Sequence, residues 1–165
     1  QHTIMLITLA LQIALRAHQG QTDKTGAEYI KHPLRVMAKM ATDEAMAVAL
    51  LHDVLEDSAL TAHDLRHAGL PESVVVAVEC LTKGHHENYQ DFIQRVMTNP
   101  LARQVKLADL EDNINVLRLQ TLTEHDLARI KKYHQAWHFL KNNTSLFNYL
   151  INYYNYFIII IYSKG

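Results

Sequence analysis

Histidine and carboxylate side chains are concentrated in one short apolar stretch, residues 50–57, which reads LLHDVLED. Its leucines and its valine recur at helical spacing and would face a core. Between them lie His52, Asp53, Glu56 and Asp57. Ionised carboxylates at the edge of a buried surface are costly unless a cation compensates them, and a metal ion is the most compact compensation. The stretch therefore predicts a metal site.

A second polar cluster interrupts a later apolar helix, in the sequence KLADLEDN of residues 106–113. Asp109 and Asn113 are four residues apart and share one helical face, so the carboxylate could complete a metal shell while the amide binds a ligand. His32 of IKHPL opens another helix, from which its imidazole can project inward. Each has a simpler explanation: Asp109 could pair with Lys106, and His32 could be a packing residue.

Imidazole and carboxylate ligands together suit a first-row divalent cation, and Mn²⁺ is favoured where oxygen ligands are numerous. Three or four protein ligands would leave coordination positions for water and substrate. On a continuous helix His52 and Glu56 would share one face. Asp53 and Asp57 would share a second, about 100° from the first. We therefore expect the later acids to reach the water that the ion holds.

Three segments, AHQGQTDKTGAEYIKHP, ALLHDVLEDS and VKLADLEDNINVLRL, resemble a known family in their order and spacing. The arrangement resembles the H…HD…D signature of the HD metal-dependent phosphohydrolase superfamily. More specifically, about residues 3–140 resemble the hydrolase domain of RelA/SpoT proteins and their small single-domain relatives. The resemblance implies Mn²⁺-dependent removal of the 3′-diphosphate from guanosine 3′,5′-bis(diphosphate), ppGpp, which yields GDP and pyrophosphate.

The resemblance also implies a role for individual residues. It implies four metal ligands: His32, His52, Asp53 and Asp109. It implies that the attacking water is oriented or deprotonated by Glu56 and Asp57. It implies a substrate-binding set with Lys24 beside the guanine, Asn113 near the ribose or phosphate, Tyr133 closing the nucleotide pocket and Lys83 facing a phosphate.

Position 23 departs from the family pattern, because Asp23 stands where members carry an arginine before the lysine. Losing that cation weakens stacking on the base and alters the charge near the nucleotide. Two other functions therefore stay open: hydrolysis of another phosphorylated nucleotide or dinucleotide, and non-catalytic nucleotide binding by a regulator. Glu56 and Asp57 argue against the regulator, because a binder has little need of two extra acids beside a metal.

The elements that must position these residues are helices. Only 5 glycines and 3 prolines occur in 165 residues, and apolar residues recur mostly at i, i+3 and i+4. We predict an all-α HD-domain bundle of about seven to nine helices over residues 1–140. Residues 141–165, rich in Asn, Tyr and Ile, form an atypical and loosely attached tail in this prediction.

Local signals predict several helix boundaries. Asp43 is expected to cap the third helix, which continues through residues 50–57. The second helix is expected to run from His32 through Met40, and residues 101–119 to form one long helix. Two capping pairs are predicted at the starts of later helices: Thr61 with Asp64, and Thr123 with Asp126.

Composition limits the classes of partner. The 16 basic and 17 acidic side chains nearly cancel, so the chain lacks the basic excess that drives non-specific nucleic-acid binding. A single cysteine, Cys80, excludes an internal disulfide, and no charged-then-apolar leader precedes the first helix, so we expect a cytoplasmic protein. We expect a small-molecule nucleotide as partner, and neither nucleic acid nor membrane; the oligomeric state stays open.

Overall fold

The computed structural model describes residues 5–143, which form nine α-helices and one short 3₁₀ helix. The helices are α1 Leu6–Ala17, α2 Lys31–Met37, α3 Asp43–Leu51, α4 Val54–Asp57, α5 Ala62–His67, α6 Glu72–Leu81, α7 Tyr89–Met97, α8 Pro100–Ile114, the 3₁₀ helix Val116–Arg118 and α9 Glu124–Asn142. Among these residues a lone antiparallel bridge joins Thr22 to Glu28. The predicted all-α fold is confirmed, whereas most of the predicted tail lies outside the described residues.

Helix α3 forms the centre of the bundle. It packs against α1, α2, α6 and α8, and six of its nine residues are buried, among them Val48, Leu50 and Leu51. A helix that is apolar on all sides is stable only when neighbours surround it. The carboxyl end of α3 therefore delivers the residues that follow it, His52 and Asp53, to the interior of the molecule. Within residues 5–143 no helix is both long enough and apolar enough to cross a bilayer.

The predicted continuous helix through residues 50–57 is wrong, because the chain turns at His52 and Asp53 between α3 and α4. The imidazole of His52 lies 2.6 Å, through Nδ1, from the carbonyl oxygen of Ala49. In a continuous helix that carbonyl would accept from the backbone N–H of Asp53. The side chain thus takes the place of one helical hydrogen bond, and α4 restarts with Asp57 N bonded to Asp53 O.

The predicted helix over residues 101–119 is also shorter than expected, since α8 ends at Ile114. Asn115 has ψ of 82°, which no helix contains. A guanidinium nitrogen of Arg118 lies 2.5 Å from the carbonyl oxygen of Asp112, the group that the N–H of Val116 would use in a longer helix. Again a side chain competes with the backbone for a carbonyl, and the helix stops.

Two smaller corrections concern helix ends near the start of α3. The N-cap of α3 is Thr42, whose hydroxyl accepts from the backbone N–H of Ala45, whereas Asp43 is already the first helical residue. Helix α2 stops at Met37, and the chain reaches Met40 through tight turns. Both predicted capping pairs are confirmed as capping boxes: Thr61 with Asp64 at α5, and Thr123 with Asp126 at α9.

Candidate functional site

Four side chains from three segments meet at the interior end of α3. We call them the His–Asp cluster: His32 on α2, His52 and Asp53 in the turn after α3, and Asp109 on α8. The Nε2 atoms of the two histidines are 3.2 Å apart. Asp109 Oδ1 lies 3.0 Å from His32 Nε2, and Asp53 Oδ2 lies 3.0 Å from His52 Nε2. The structure therefore brings together all four residues that the sequence analysis expected to share a metal.

The hydrogen bonds of the two Nδ1 atoms determine that Nε2 of each histidine faces the cluster. The carbonyl oxygen of Ala49 can only accept, so His52 Nδ1 donates to it. His32 Nδ1 lies 2.7 Å from a carboxylate oxygen of Asp112 and donates to it. In the neutral rings both Nε2 atoms then carry lone pairs that face each other beside two carboxylates. Such a donor set suits a first-row divalent cation, and the donor atoms of His32, His52 and Asp109 lie within 4.8 Å of one another.

The cluster residues shift one another's pKa values; His32, His52 and Asp109 are buried, and the side chain of Asp53 is 23% exposed. Burial lowers the pKa of His52, but the adjacent carboxylates of Asp53 and Asp109 outweigh it and the net pKa is raised. Burial raises the pKa of Asp109, but Lys106 and the two histidines hold it well below its usual range. The carboxylates therefore stay ionised, and protons compete with a cation for the two imidazoles.

Neighbouring side chains orient the two carboxylates. The hydroxyl of Tyr29 donates to Asp53 Oδ2. Lys106 Nζ donates to Asp109 Oδ2 at 2.8 Å, and Asn113 Nδ2 donates to Asp109 Oδ1 at 2.6 Å. The ion pair between Lys106 and Asp109 that was the simpler alternative is thus present together with the cluster. Tyr29 was not anticipated, because nothing local in the sequence links it to a residue 24 positions away.

A group of three charged residues that contacts His32 was also missed by the sequence analysis. Asp112 accepts hydrogen bonds from the guanidinium groups of Arg35 and Arg118, at 2.8 and 3.0 Å, as well as from His32. We call Asp112, Arg35 and Arg118 the Asp112 clamp. A signal was available in the spacing, since Asp112 follows Asp109 by three residues and Arg35 follows His32 by three. Residues so spaced lie on one side of a helix.

The two acids expected to act on water lie beside the cluster on α4. One oxygen of Glu56 accepts from the backbone N–H of Lys83 at 2.6 Å, and one oxygen of Asp57 accepts from Gln21 Nε2 at 3.0 Å. Burial raises the pKa of Glu56, and the Lys83 N–H only partly opposes this. The ammonium of Lys83 is turned towards its own loop, where it donates to the carbonyl oxygens of Gly84 and Glu87.

A cavity of about 270 Å³ reaches the cluster at His32, and we call it the basic cavity. Among the residues that line it are Lys24, Asn113 and Arg129, together with His32 and the whole Asp112 clamp. Tyr133 does not line it; its ring lies on α9, 6.3 Å from that of Tyr89. A second cavity, of about 290 Å³, lies between α7 and α9 and contains no member of the cluster.

The side chain of Asp23 is turned into its own loop. Its Oδ1 accepts from the backbone N–H and hydroxyl of Thr25, at 2.8 and 2.7 Å, and from the backbone N–H of Ala27. The hydrogen bond from the hydroxyl of Thr25 is the largest cause of the lowered pKa of Asp23. The residue that departs from the family pattern therefore organises the loop between α1 and α2, at the rim of the basic cavity.

Comparison with known proteins gives relatives that are much longer than this chain. No family model matches it. The guanosine-3′,5′-bis(diphosphate) 3′-pyrophosphohydrolase of Aquifex aeolicus is 35% identical over 123 residues, which are 67% of this chain and 18% of the relative. The bifunctional (p)ppGpp synthase/hydrolase SpoT of Escherichia coli K12 is 33% identical over 66% of this chain and 17% of its own length. A GTP pyrophosphokinase of Streptomyces coelicolor is 33% identical, over 70% and 15%.

A solved structure extends the comparison to most of the chain. It is described as a metazoan ortholog of SpoT that hydrolyses ppGpp, and it matches with a TM-score of 0.68 and 22% identity, over 87% of this chain and 89% of that one. At this identity the likeness establishes the fold. The predicted resemblance to RelA/SpoT-type proteins is confirmed by these relatives. The chain is a homologue of one segment, less than a fifth in length, of the SpoT-type (p)ppGpp hydrolases and synthases.

Proposed function

We propose that the chain hydrolyses ppGpp to GDP and pyrophosphate, with Mn²⁺ held by His32, His52, Asp53 and Asp109. The observation that carries this proposal is the pair of imidazoles with their Nδ1 atoms committed elsewhere and their Nε2 atoms 3.2 Å apart beside two carboxylates. Several relatives named as 3′-pyrophosphohydrolases support the choice of substrate. When bound, Mn²⁺ would supply the Lewis acidity that activates water and polarises a phosphoryl oxygen.

We assign to Glu56 and Asp57 the role of orienting the attacking water and accepting its proton. The raised pKa of Glu56 makes it a better proton acceptor near neutral pH than a glutamate with an ordinary pKa. The backbone N–H of Lys83 anchors one of its oxygens and so fixes the orientation of the carboxylate. The oxygen of the water would bond to the phosphorus next to the ribose, and the 3′-oxygen of GDP would leave with the electron pair of the broken phosphorus–oxygen bond and take up a proton.

The basic cavity supplies positive charge for the nucleotide. Lys24 and Arg129 share one carboxylate, that of Asp126, at 3.9 and 3.3 Å. In the Asp112 clamp two guanidinium groups likewise share one carboxylate. Each set has one positive charge in excess, which favours a ligand that carries phosphate groups. We assign Lys24 to the base and Asn113 to the ribose or phosphate. Tyr133 and Lys83 lie outside the lining of the basic cavity, and we assign them contacts with the part of the substrate that extends beyond it.

The test is hydrolysis of ppGpp by the purified chain with Mn²⁺, followed by chromatography of the nucleotides. We expect GDP and pyrophosphate in equal amounts, and loss of turnover in His52→Ala. The matched control is His63→Ala, because His63 is exposed on α5. A wild-type chain that binds Mn²⁺ and leaves ppGpp intact would overturn the proposal.

A second substrate class is favoured by the conformation of Asp23. Position 23 carries an aspartate in place of an arginine, and its carboxylate is bonded within its own loop. This position therefore supplies no cation to stack on a guanine base. Hydrolysis of another phosphorylated nucleotide, such as the phosphate of a dinucleotide cofactor, is therefore the alternative. Parallel assays at equal concentration decide between them: a kcat/KM for ppGpp at least about 10-fold above the others supports the first proposal.

A further inference from the structure

His18, at the carboxyl end of α1, is buried although it carries two polar ring nitrogens. Only 3% of the residue is exposed, and its ring lies against that of Tyr29 with the ring centroids 4.9 Å apart. Its Nδ1 lies 2.8 Å from Oε1 of Gln21. Its Nε2 is buried and has no hydrogen-bond partner in the described part of the chain. A polar side chain buried in this way needs a reason.

The direction of these hydrogen bonds follows from the chemistry of the amide. Oε1 of Gln21 can only accept, so His18 Nδ1 carries the hydrogen and donates it. The amide of Gln21 is thereby held with its NH₂ group on the opposite side, where Gln21 Nε2 donates to Asp57 Oδ2 at 3.0 Å. The carboxylate of Asp57 can only accept and so favours the same orientation of the amide, while His18 holds the oxygen end of the amide by a second hydrogen bond. His18 therefore anchors Gln21 in the orientation that supports Asp57.

The backbone keeps Gln21 in place for this task. Its N–H donates to the carbonyl oxygen of His18 at 3.0 Å, and its carbonyl oxygen accepts from the N–H of Tyr29 at 2.9 Å. Tyr29 in turn donates its hydroxyl to Asp53. The buried ring of His18 is therefore connected to two acids of the site. It reaches Asp57 through the hydrogen bonds of Gln21, and Asp53 through its contact with Tyr29.

We propose that His18 is a positioning residue that fixes the carboxylate of Asp57 through the side-chain amide of Gln21. The proposal rests on the proposed function in one respect, the assignment of Asp57 to the attacking water. His18 does not line the basic cavity, so its removal should affect turnover and leave substrate binding unchanged. A residue that merely fills space behind the site would not require a hydrogen at Nδ1.

Two substitutions of His18 separate the hydrogen bond from the packing. The side-chain nitrogen of asparagine can occupy the position of Nδ1, whereas that of glutamine reaches the position of Nε2. We expect His18→Asn to keep kcat within about 3-fold of wild type, and His18→Gln to lower it about 10-fold or more with KM and Mn²⁺ affinity unchanged. Gln21→Met, which removes the amide at similar length, should reproduce the loss in kcat, and Gln19→Met at an exposed neighbouring position should not.

Nuclear magnetic resonance provides a readout that does not depend on activity. In the Mn²⁺-free protein we expect a slowly exchanging Nδ1–H of His18 and a protected side-chain amide of Gln21 in the wild type. The protected amide should persist in His18→Asn and be lost in His18→Gln. Equal kcat in wild type and His18→Gln, or an equal loss in both His18 variants with the fold intact, would overturn the proposal. A wild type that never cleaves ppGpp, with the protected amide present, would instead count against the proposed function alone.

Discussion

The Nδ1 atoms of His32 and His52 decide the chemistry of the site, because each is committed to an acceptor outside the cluster. The two acceptors differ. His52 donates to a backbone carbonyl, which no substitution removes, whereas His32 donates to the carboxylate of Asp112. A carboxylate behind a metal-binding histidine fixes its tautomer and raises its basicity. Asp112 is therefore the neighbour whose replacement most directly reports on the affinity for a cation.

We predict that Asp112→Asn weakens Mn²⁺ binding about 10-fold or more, as is typical when a carboxylate that accepts from a metal-binding histidine is replaced. The amide can still accept from His32 but carries no charge, and it leaves Arg35 and Arg118 without their shared partner. Isothermal titration of the folded protein with Mn²⁺ measures the effect. Glu111→Gln is the matched control, since Glu111 lies one residue earlier and bonds to Lys39 and Trp137 instead. Equal losses in the two variants would contradict the prediction.

Glu56→Gln should leave Mn²⁺ bound and abolish most turnover. The glutamine oxygen can still accept from the backbone N–H of Lys83, so the side chain keeps its position but cannot take a proton. Removing a general base typically costs about 10²–10⁴ in kcat. The measurement is ppGpp hydrolysis under saturating substrate, with Glu44→Gln at an exposed position of α3 as control. Wild-type turnover in the Glu56 variant would remove this residue from the mechanism.

Helix boundaries that depend on local signals were predicted from the sequence, whereas those that depend on other side-chain contacts were not. Both capping boxes were predicted, because a threonine and an aspartate three residues apart interact within one turn. The turn after α3 and the end of α8 were not predicted. In each a side chain, His52 or Arg118, binds a carbonyl that the helix would otherwise use, and apolar periodicity carries no information about that competition.

The start of α3 offers a direct test of one corrected boundary. Because the Thr42 hydroxyl accepts from the N–H of Ala45, we predict that Thr42→Ala lowers the free energy of unfolding by about 1 kcal/mol. Asp43 lies in the first turn, where its carboxylate interacts with the helix dipole, so Asp43→Ala should cost about 0.3–0.5 kcal/mol. Urea denaturation of the two variants and the wild type gives both values. A larger loss for Asp43→Ala would restore Asp43 as the cap.

In the whole molecule, the site depends on residues that the fold brings from far apart in sequence. The types of residue in the His–Asp cluster were predictable, since their spacing carries a family resemblance. Their convergence comes from the packing of α2 and α8 on the buried α3, which no local pattern encodes. In the Asp112 clamp, Arg35 contacts a residue 77 positions away, and Tyr29 contacts one 24 positions away. The spacing of Asp112 and Arg35 indicates the side of the helix on which each lies, but not that the two meet.

The loop that anchors Glu56 is held by an ion pair remote from the cluster. Arg95 on α7 donates to both carboxylate oxygens of Glu87, at 2.8 and 2.9 Å, and to the carbonyl oxygens of Cys80 and Thr82. The Arg95 hydrogen bonds, helped by the backbone N–H of Gly84, lower the pKa of Glu87 to about 2. An ionised Glu87 therefore stabilises the folded state.

This pair predicts how stability changes with acid. Because the pKa of Glu87 is lower in the folded state than its ordinary value of 4.5, its contribution is complete above about pH 5.5 and is lost as the pH falls to about 2. Glu87→Gln removes that contribution at every pH. Denaturant titrations at about pH 7, 4 and 3 should therefore show wild type more stable than the variant, by a margin that narrows with each step. A constant margin would mean that the carboxylate is not the source of the stabilisation. Asp91→Asn, in the first turn of α7, should show how much of any narrowing is general.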